Sequence, residues 1–425
     1  MSAILEPRYD RLLVAGVCGI LVSCGSAGPD GARTPDPGSD AAAACSGPTC
    51  GADAGDVTAP AARDGGNQPS ADAGDDRAPP PGPDTDTDGG GSGDADAAPA
   101  GTSGLPPLSV SGNKLQDPTG KTIILRGSSL IDIGALYAYG GMSVTGITSR
   151  LDKIAAAGVQ GHVVRMPVYP EITYNGTSPT CSPVPYPVGS GPSAKCTPKT
   201  PLTAAAYVST VLQPAVDYAT GKGLYVIVDF HQIDNATTGT SAADATTFWT
   251  DIAPRFASYG NVFYELFNEP IDTSATWATL KPVVQGLIDT VRSSAPNNVL
   301  IVPSNSWDQR PGDAASDPPQ GTNLMYTAHI YPSNWGQAFQ TQVATAVTKA
   351  PVFVTEWGYA ATNPHSWGTG LQTVIDGDGA SWTAWVTDNA WQPNMFTDTA
   401  ITQLTDFGTL VQSWLAATAQ SDWVQ

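Results

Sequence analysis

Two glutamates, Glu269 and Glu356, each stand at the end of a short apolar run in this chain of 425 residues. The first run is Val262-Phe-Tyr-Glu-Leu-Phe-Asn-Glu269, and the second is Val352-Phe-Val-Thr-Glu356. If both runs are parallel strands of one barrel, their carboxylates converge at the carboxyl end of that barrel. One carboxyl group that donates a proton and a second that attacks or stabilises the sugar can together hydrolyse a glycosidic bond. The pair therefore predicts a polysaccharide hydrolase.

The separation of the two glutamates fits this arrangement. Glu356 follows Glu269 by 87 positions, which is about three βα units at roughly 30 residues each. An alternative interpretation of Glu269 is an acid at a helix entry, favoured by the helix macrodipole and followed by Pro270 in the first turn. That alternative leaves Asn268 and the second glutamate unexplained, so the catalytic interpretation is preferred.

Eight apolar runs follow Leu105. Amphipathic segments that predict helices, Phe248–Ser258 among them, lie between many of these runs. Most runs are continuous rather than alternating, as expected for strands that are covered on both faces. The predicted strands are Thr122–Arg126, His162–Met166, Leu224–Asp229, Val262–Phe267, Val299–Pro303, Leu324–Ala328, Val352–Thr355 and Ser381–Val386. This alternation predicts an α/β fold, a (β/α)₈ TIM barrel over residues 105–425. The connection from Asn305 to Asn323 contains three prolines and predicts no helix.

Six motifs lie at the ends of the predicted strands. They are Val164-Arg165-Met166-Pro167, Asp229-Phe230-His231, Asn268-Glu269-Pro270, His329-Ile330-Tyr331, Thr355-Glu356-Trp357-Gly358 and Ser381-Trp382-Thr383-Ala384-Trp385. In this order they resemble glycoside hydrolase family 5, the cellulase family, over roughly residues 105–417. The resemblance implies a retaining mechanism with Glu269 as acid/base and Glu356 as nucleophile.

The resemblance also implies roles for residues beside the two glutamates. Arg165 would face Glu356, where its positive charge favours the ionised carboxylate. A salt-bridged core arginine is the structural alternative. Asn268 would bind the sugar 2-hydroxyl, a contact that strengthens in the transition state. Tyr331 resembles the family tyrosine that hydrogen-bonds the nucleophile.

Two histidines and a tryptophan complete the predicted substrate-binding set. His231 and His329 follow predicted strands at the mouth, although each could instead be a core histidine with satisfied hydrogen bonds. Trp385 would stack under the sugar at the cleavage point, because a flat ring matches the apolar face of a pyranose. Asp229 and Glu265 are interpreted as supporting acids without a catalytic role.

Three further tryptophans, Trp307, Trp335 and Trp357, fall in predicted mouth loops and could form additional sugar subsites or belong to the core. After Trp385 many family cellulases have a lysine that binds a distal sugar. This chain has Asp388 followed by Asn389 at that place. The favoured activity is cleavage of internal β-1,4 linkages by an endo-β-1,4-glucanase, with an endo-β-1,4-mannanase or another β-glycanase as the alternative.

Two alternatives from other classes remain at this point. A non-catalytic glycan-binding barrel would be expected to have lost Glu269, Glu356 or Arg165, and all three are present. A transporter-associated lipoprotein that binds sugars would have two doubly wound lobes and would not need paired glutamates.

The first residues predict export. Arg8 and Arg11 precede an apolar stretch that ends in Leu21-Val22-Ser23-Cys24, as in a signal peptide over residues 1–23. These four residues resemble the bacterial lipobox, in which the cysteine is lipidated. An ordinary signal peptide that carries a cysteine is the alternative. The expected location is a lipid anchor at the cell surface or outer membrane, or the secreted state.

Residues 24–104 are expected to form a disordered linker. Gly25 to Gly104 contains fourteen Asp, no Glu and three Arg, a net charge of −11 within a total of −20. Such a composition cannot bury a core. The negative charge argues against nucleic-acid partners, whose phosphates it would repel. The expected partners are a β-linked polysaccharide or oligosaccharide and a membrane reached only through the lipid, with the protein as a monomer.

If Cys18 leaves with the signal peptide and Cys24 carries lipid, four cysteines remain. These are Cys45, Cys50, Cys181 and Cys196, which allow three pairings. Proximity in sequence favours Cys45 with Cys50 and Cys181 with Cys196. The chain has no Cys-x-x-Cys pair and no glycine-rich phosphate loop, so neither a metal nor a cofactor is predicted.

Overall fold

The computed structural model describes residues 104–175, 178–188, 202–272 and 276–418. Within these ranges the strands are Ser109–Ser111 (β1), Lys114–Gln116 (β2), Arg126–Ser129 (β3), Val163–Val168 (β4), Thr173–Asn175 (β5), Ser178–Thr180 (β6), Tyr225–Phe230 (β7), Ile233–Asp234 (β8), Val262–Glu265 (β9), Glu269–Pro270 (β10), Leu300–Val302 (β11), Leu324–Ile330 (β12), Val352–Trp357 (β13) and Ser381–Ala384 (β14). The predicted signal peptide, Cys24, Cys196 and the linker up to residue 103 lie outside the described residues.

The helices of the same ranges are Ile133–Tyr139 (α1), Thr145–Ala156 (α2), Ala204–Tyr207 (α3), Gln213–Gly221 (α4), Ser241–Ile252 (α5), Trp277–Arg292 (α6), Asn305–Asp308 (α7), Pro311–Ser316 (α8), Gln337–Lys349 (α9), His365–Asp378 (α10) and Asp406–Thr418 (α11). Of these, α7 is a single turn whose backbone is left-handed rather than α-helical. A π-helical turn, Val208–Leu212, joins α3 to α4, and a 3₁₀ turn, Ala253–Arg255, follows α5. None of the described helices has the length and apolarity that crossing a bilayer requires.

Eight strands close into a parallel barrel in the order β11-β12-β13-β14-β3-β4-β7-β9, and β9 pairs with β11 to complete it. Helices lie between the strands along the chain. The predicted TIM barrel is therefore confirmed. A closed barrel of parallel strands also excludes the two-lobed, transporter-associated alternative.

The barrel strands are buried on both faces because successive side chains point alternately into the barrel and toward the helices. In β7, Tyr225 and Ile227 pack in an inner cluster, whereas Val226 and Val228 pack in the larger cluster that includes the helices. This double burial explains why the strands are continuous apolar runs in the sequence. Leu115 of β2 joins the inner cluster, so the β1–β2 hairpin covers the amino-terminal end of the barrel.

Three predicted elements are corrected by the structure. The first barrel strand is Arg126–Ser129 rather than Thr122–Arg126. The apolar residues Ile123 and Leu125 before it belong to the inner cluster. The predicted absence of a helix after the fifth strand is wrong, because Pro311 begins the short helix α8 at a position where no backbone N–H is needed. The helix predicted near Phe248 begins earlier, at Ser241.

Candidate active site

Two short structural features place the glutamates at the carboxyl end of the barrel. Glu269 lies in β10, which pairs with β8 just beyond β9 and β7, and its N–H donates to the carbonyl of Gln232 at 3.0 Å. Glu356 lies in β13 and pairs with His329 of β12, beside a register irregularity between Thr327 and His329. Such an irregularity re-aims side chains and here brings the imidazole of His329 to both glutamates.

The carboxylates of Glu269 and Glu356 and a ring nitrogen of His329 lie within 4.8 Å of one another. His329 Nδ1 is 2.7 Å from Glu269 Oε1 and 3.6 Å from Glu356 Oε2. Among the described residues this is the one group with spacing that could hold a metal ion. Oε1 of Glu269 and both carboxylate oxygens of Glu356 already make hydrogen bonds, with His329, Arg165 and Tyr331 respectively. The donor set therefore suits proton transfer better than metal binding.

Arg165 is a fully buried cation that four acceptors surround. Its guanidinium donates to Glu265 at 2.6 Å, to Glu356 at 2.9 Å and to Asn268 Oδ1 at 2.6 Å, and lies 2.9 Å from Asp229. Burial opposes the charge, but the carboxylates of Asp229, Glu265 and Glu356 raise the pKa of Arg165 well above its ordinary value. The predicted facing of Arg165 and Glu356 is thus present, within a buried ion cluster.

Glu265 is the buried counterion that holds this arginine. Burial opposes its ionisation, yet Arg165 outweighs that effect, and the pKa of Glu265 is lowered to about 2. Glu265 therefore remains anionic at any pH at which an ordinary glutamate is ionised. Its contacts agree with the supporting role predicted for it.

Both oxygens of Glu356 face hydrogen-bond donors. Oε1 accepts from Arg165, and Oε2 accepts from the hydroxyl of Tyr331 at 2.5 Å. Burial, followed by the charge of Glu356, raises the pKa of Tyr331 well above its ordinary value, so this hydroxyl keeps its proton. Charge-assisted hydrogen bonds of this kind stabilise the carboxylate and define its orientation.

Asn268 carries a donor with no partner among the described residues. Its Oδ1 accepts from Arg165, which sets the orientation of the amide, and its buried Nδ2 makes no hydrogen bond. A buried unsatisfied donor costs about 1–3 kcal/mol. A substrate hydroxyl next to Glu269 would satisfy it, as the prediction for Asn268 requires.

His231 is held in a stack of rings at the mouth. Tyr169 lies 4.4 Å from it at 21° and Trp385 lies 5.5 Å from it at 9°, measured between ring centroids and planes. Burial, reinforced by the charge of Arg165, lowers the pKa of His231 to about 3. The ring is therefore neutral near pH 7, and its Nδ1 shares a hydrogen bond with Asp229 Oδ2 at 2.7 Å.

The chain resembles known proteins in sequence over most of the barrel. The family model for cellulase (glycosyl hydrolase family 5) matches residues 117–390. The chain belongs to glycosyl hydrolase family 5. An endoglucanase of Clostridium saccharobutylicum is 33% identical over 153 residues, which are 36% of this chain and 33% of that protein. Endoglucanase E-5 of Thermobifida fusca is 35% identical over 150 residues, 34% of this chain and 32% of that protein.

This family 5 chain spans about a third of the length of the curated relatives it matches. Solved structures agree on the fold. A β-glucanase from Saccharophagus degradans in complex with cellotetraose has a TM-score of 0.59 at 23% identity, covering 74% of this chain and 94% of that chain. The catalytic domain of a Thermobifida fusca endoglucanase has a TM-score of 0.55 at 22% identity, covering 73% and 97%.

One acid of this family 5 site, Asp308, is not among the residues predicted from the sequence. Asp308 is fully buried and its Oδ2 lies 3.7 Å from His329 Nε2. It follows Ser306 and Trp307, and all three residues have left-handed backbone, with φ of 61°, 55° and 57°. No glycine marks this turn, although a left-handed residue other than glycine costs roughly 1–2 kcal/mol. The available signal was the irregular, proline-rich connection after the fifth strand.

The remaining predicted residues divide between core and mouth. Trp357 is fully buried and packs edge-on against Trp382, Phe407 and Trp414, so it belongs to the core. Trp335 is partly buried against Phe339. Cys181 is disulfide-bonded, as predicted, and its predicted partner lies outside the described residues.

Proposed function

We propose that this chain is a retaining glycoside hydrolase that cleaves internal β-1,4 linkages of a glucan, an endo-β-1,4-glucanase. The observation that carries the proposal is the approach of the Glu269 and Glu356 carboxylates to within 4.8 Å. Retaining enzymes hold their carboxyl groups about 5–5.5 Å apart, whereas inverting enzymes need about 6.5–9.5 Å to admit a water molecule. Membership of family 5 and the endoglucanase relatives support a β-1,4-glucan as the substrate.

In the first step Glu269 acts as a protonated carboxyl group and donates its proton to the glycosidic oxygen. The bond from that oxygen to the anomeric carbon breaks, and Glu356 attacks the same carbon to form a glycosyl ester. Arg165 and Tyr331 hold the attacking carboxylate in place. The free amide donor of Asn268 binds the 2-hydroxyl, where hydrogen bonds strengthen as positive charge develops on the sugar.

In the second step Glu269 is a carboxylate and accepts a proton from water, which attacks the anomeric carbon and releases Glu356. His329 contacts the carboxylate of Glu269 at 2.7 Å. Burial opposes a charge on His329, but Glu356, Glu265 and Glu269 raise its pKa well above the ordinary value. A cationic His329 stabilises the ionised form of Glu269 that this step requires.

The competing functions predict different assay results. A non-catalytic glycan-binding barrel has no need of the Glu269–His329–Glu356 contacts and would release no sugar from any polymer. A mannanase would prefer mannan, whose sugars differ from glucose in the orientation of the 2-hydroxyl near Asn268. The test is reducing-sugar release and loss of viscosity with the full chain on soluble β-1,4-glucan, mannan and xylan. We expect the glucan to be cleaved fastest, with an early fall in viscosity. Preference for mannan or xylan would contradict the glucanase assignment, and release from none would contradict hydrolysis.

We also propose that the protein is exported and anchored through lipid on Cys24, with residues 24–104 as the tether to the barrel and the barrel as a monomer. The Leu21-Val22-Ser23-Cys24 motif and the acidic composition of the following residues support this location. One acyl chain binds a membrane only marginally, so anchoring through Cys24 needs the additional chains of a bacterial lipoprotein. The tether would let the barrel reach an insoluble polymer away from the membrane surface.

A further inference from the structure

Asp132 is a buried acid, 1% exposed, that follows the first barrel strand, β3. Its carboxylate accepts from the backbone N–H groups of Gly134 at 2.9 Å and Ala135 at 3.0 Å, in the first turn of α1. The side-chain hydroxyl of Ser182 and the backbone N–H of Tyr169 also stabilise its charged form. Because Ser182 and Tyr169 belong to the segment between β4 and α3, this one carboxylate links two segments at the mouth of the barrel.

The two segments pack directly against each other beside Asp132. A Cβ atom at Gly134 would lie 2.0 Å from the carbonyl oxygen of Val184, so only glycine lets the backbone of α1 approach the other segment this closely. Cys181, the residue before Ser182, is disulfide-bonded. Asp132 therefore lies at a tight junction between the residues that follow β3 and those that follow β4.

Tyr169 connects this junction to the catalytic cluster. Its ring stacks on His231, with 4.4 Å between the ring centroids and 21° between the planes. Its carbonyl accepts from the N–H of Tyr186 at 2.8 Å, so its backbone is held from both sides. Burial, followed by the charges of Asp132 and Glu356, raises the pKa of Tyr169 well above its ordinary value. Tyr169 is thus within electrostatic range of both the junction and the proposed nucleophile.

The charge of Asp132 changes near neutral pH, because burial raises its pKa to about 7 against the opposing hydrogen bonds. The titratable groups that face it are the phenols of Tyr169 and Tyr207. Burial and the charge of Asp132 raise the pKa of both phenols well above the ordinary value, so both keep their protons at pH 8. Neither α1 nor residues 181–188 contain a charged side chain. The carboxylate offers two acceptor oxygens to the surrounding donors, whereas protonation turns one of these oxygens into a donor.

We propose that Asp132 is a positioning residue for hydrolysis, whose carboxylate joins α1 to the segment after β4 and thereby holds Tyr169 against His231 beside the nucleophile. The proposal rests on the function proposed above and adds to it a buried residue that acts through Tyr169 rather than by touching substrate. The link is complete when Asp132 is ionised and is weakened when Asp132 is protonated.

The test is kcat/KM of the full chain on an aryl glycoside of a β-1,4-linked glucose oligomer, at pH 5.5 and at pH 8. Asparagine resembles the neutral carboxyl group in size, so Asp132→Asn should lose little at pH 5.5. At pH 8 it should lose roughly 10-fold, the order of change that one hydrogen bond to a charged group makes. Asp117→Asn is the matched control, because Asp117 also accepts from two backbone N–H groups and one hydroxyl but follows β2, at the amino-terminal end of the barrel.

The same two pH values separate positioning from stability. The folded pKa of Asp132, about 7, lies above the unfolded value of about 3.9. The contribution of Asp132 to stability is therefore complete below the unfolded value and is lost as the pH rises through 7. In urea unfolding, the stability of Asp132→Asn relative to wild type should increase from pH 5.5 to pH 8, while its relative activity declines. A relative activity that follows stability, or an equal loss of activity at both pH values, would overturn the positioning role.

A double-variant cycle tests whether Asp132 acts through Tyr169. In a Tyr169→Ala background, Asp132→Asn should cause little further loss at pH 8, since the ring that it positions is gone. An undiminished loss would contradict this route. If Asp132→Asn does not fold, Ser182→Ala takes its place, because it removes one donor to the carboxylate, and the same pH-dependent loss is expected.

A wild-type protein that releases no sugar from any glycan would contradict the proposed function alone. The comparison is then made on the Kd of a β-1,4-linked glucose tetramer, for which wild type should again exceed Asp132→Asn at pH 8 and match it at pH 5.5. Equal Kd values at both pH values, or no binding by wild type, would overturn the role of Asp132 as well.

Discussion

Asp308 Oδ2 lies 3.7 Å from Nε2 of His329, on the side of the ring away from Glu269. Glu265 Oε1 lies 3.8 Å from the same nitrogen, and neither oxygen has a hydrogen-bond partner among the described residues. Thr355 Oγ1, at 3.0 Å, is the remaining polar neighbour of Nε2. The buried ring of His329 therefore has the acids Asp308 and Glu265 near Nε2, and the two proposed catalytic glutamates near Nδ1.

Asp308→Asn should move the alkaline limb of the pH profile of kcat to lower pH on an aryl glycoside with a good leaving group, because the second step, in which a cationic His329 is proposed to act, then limits turnover. Burial raises the pKa of Asp308 well above its ordinary value against the opposing charge of His329. The carboxylate that the variant removes is therefore the form present toward alkaline pH, beside a histidine whose own pKa is raised by Glu356, Glu265 and Glu269 against burial. His329 keeps its proton until the pH passes its pKa. Removing the negative charge of Asp308 lowers that pKa, so His329 loses its proton at a lower pH. Asparagine retains the Oδ1 that accepts from the N–H of Ser304 at 2.6 Å. Asp313→Asn, at an exposed acid on α8, is the matched control, and an alkaline limb that does not move would limit Asp308 to a structural role.

Glu356→Ala should lose hydrolysis of every substrate while the fold remains, because no other carboxylate can form the glycosyl ester. Glu269→Ala should lose on the order of 10³-fold on polymers but far less on aryl glycosides with good leaving groups, which need little proton donation. The measurement is kcat/KM on both substrate classes, with Glu171→Gln as a control acid outside the cluster. Equal losses in the Glu269 variant on both classes would contradict its role as acid.

Acid should destabilise the fold partly through His231. Its folded pKa is about 3, below the unfolded value of about 6.5, so between these values the unfolded state binds a proton that the native state does not. The contribution of His231 to stability is therefore complete above pH 6.5 and decreases as the pH falls toward 3. Between pH 7 and pH 4.5 we expect the unfolding free energy of His231→Gln to fall by roughly 2–3 kcal/mol less than that of wild type.

Urea unfolding at the two pH values measures this difference, and His365→Gln is the control because His365 is exposed. A pH dependence in His231→Gln equal to that of wild type would show that His231 does not titrate between the folded and unfolded states as described.

Cys24→Ser should prevent lipidation and leave the protein unprocessed or released from the membrane. The measurement is membrane fractionation together with the intact mass of the mature protein, and Cys18→Ser is the control because it leaves the proposed lipid-bearing cysteine in place. An unmodified mature N-terminus located beyond Cys24 in the wild-type protein would refute the lipid anchor.

The sequence by itself determined the barrel and predicted that Glu269 and Glu356 meet at its mouth, because a repeating βα unit converts spacing along the chain into position around a circle. Glu269 and Glu356 could be placed at the same mouth from three units of spacing, and continuous apolar runs identified most of the barrel strands. Apolar composition did not locate the first strand. The run Thr122–Arg126 is as apolar as the other predicted strands, and only the folded barrel shows that Ile123 and Leu125 lie at its amino-terminal end, before the strand begins.

The tertiary structure decided the contacts that join different strands. Arg165 of β4 binds groups carried by β7, β9 and β13 and the residue before β10, and no local pattern encodes such a meeting. Asp308 reaches His329 only because Ser306 and Trp307 adopt a left-handed backbone that their residue types disfavour. Local propensity reflects only the backbone conformation that the residue types of a segment favour in isolation. Contacts with the rest of the barrel can impose a less favourable conformation, as at Ser306 and Trp307.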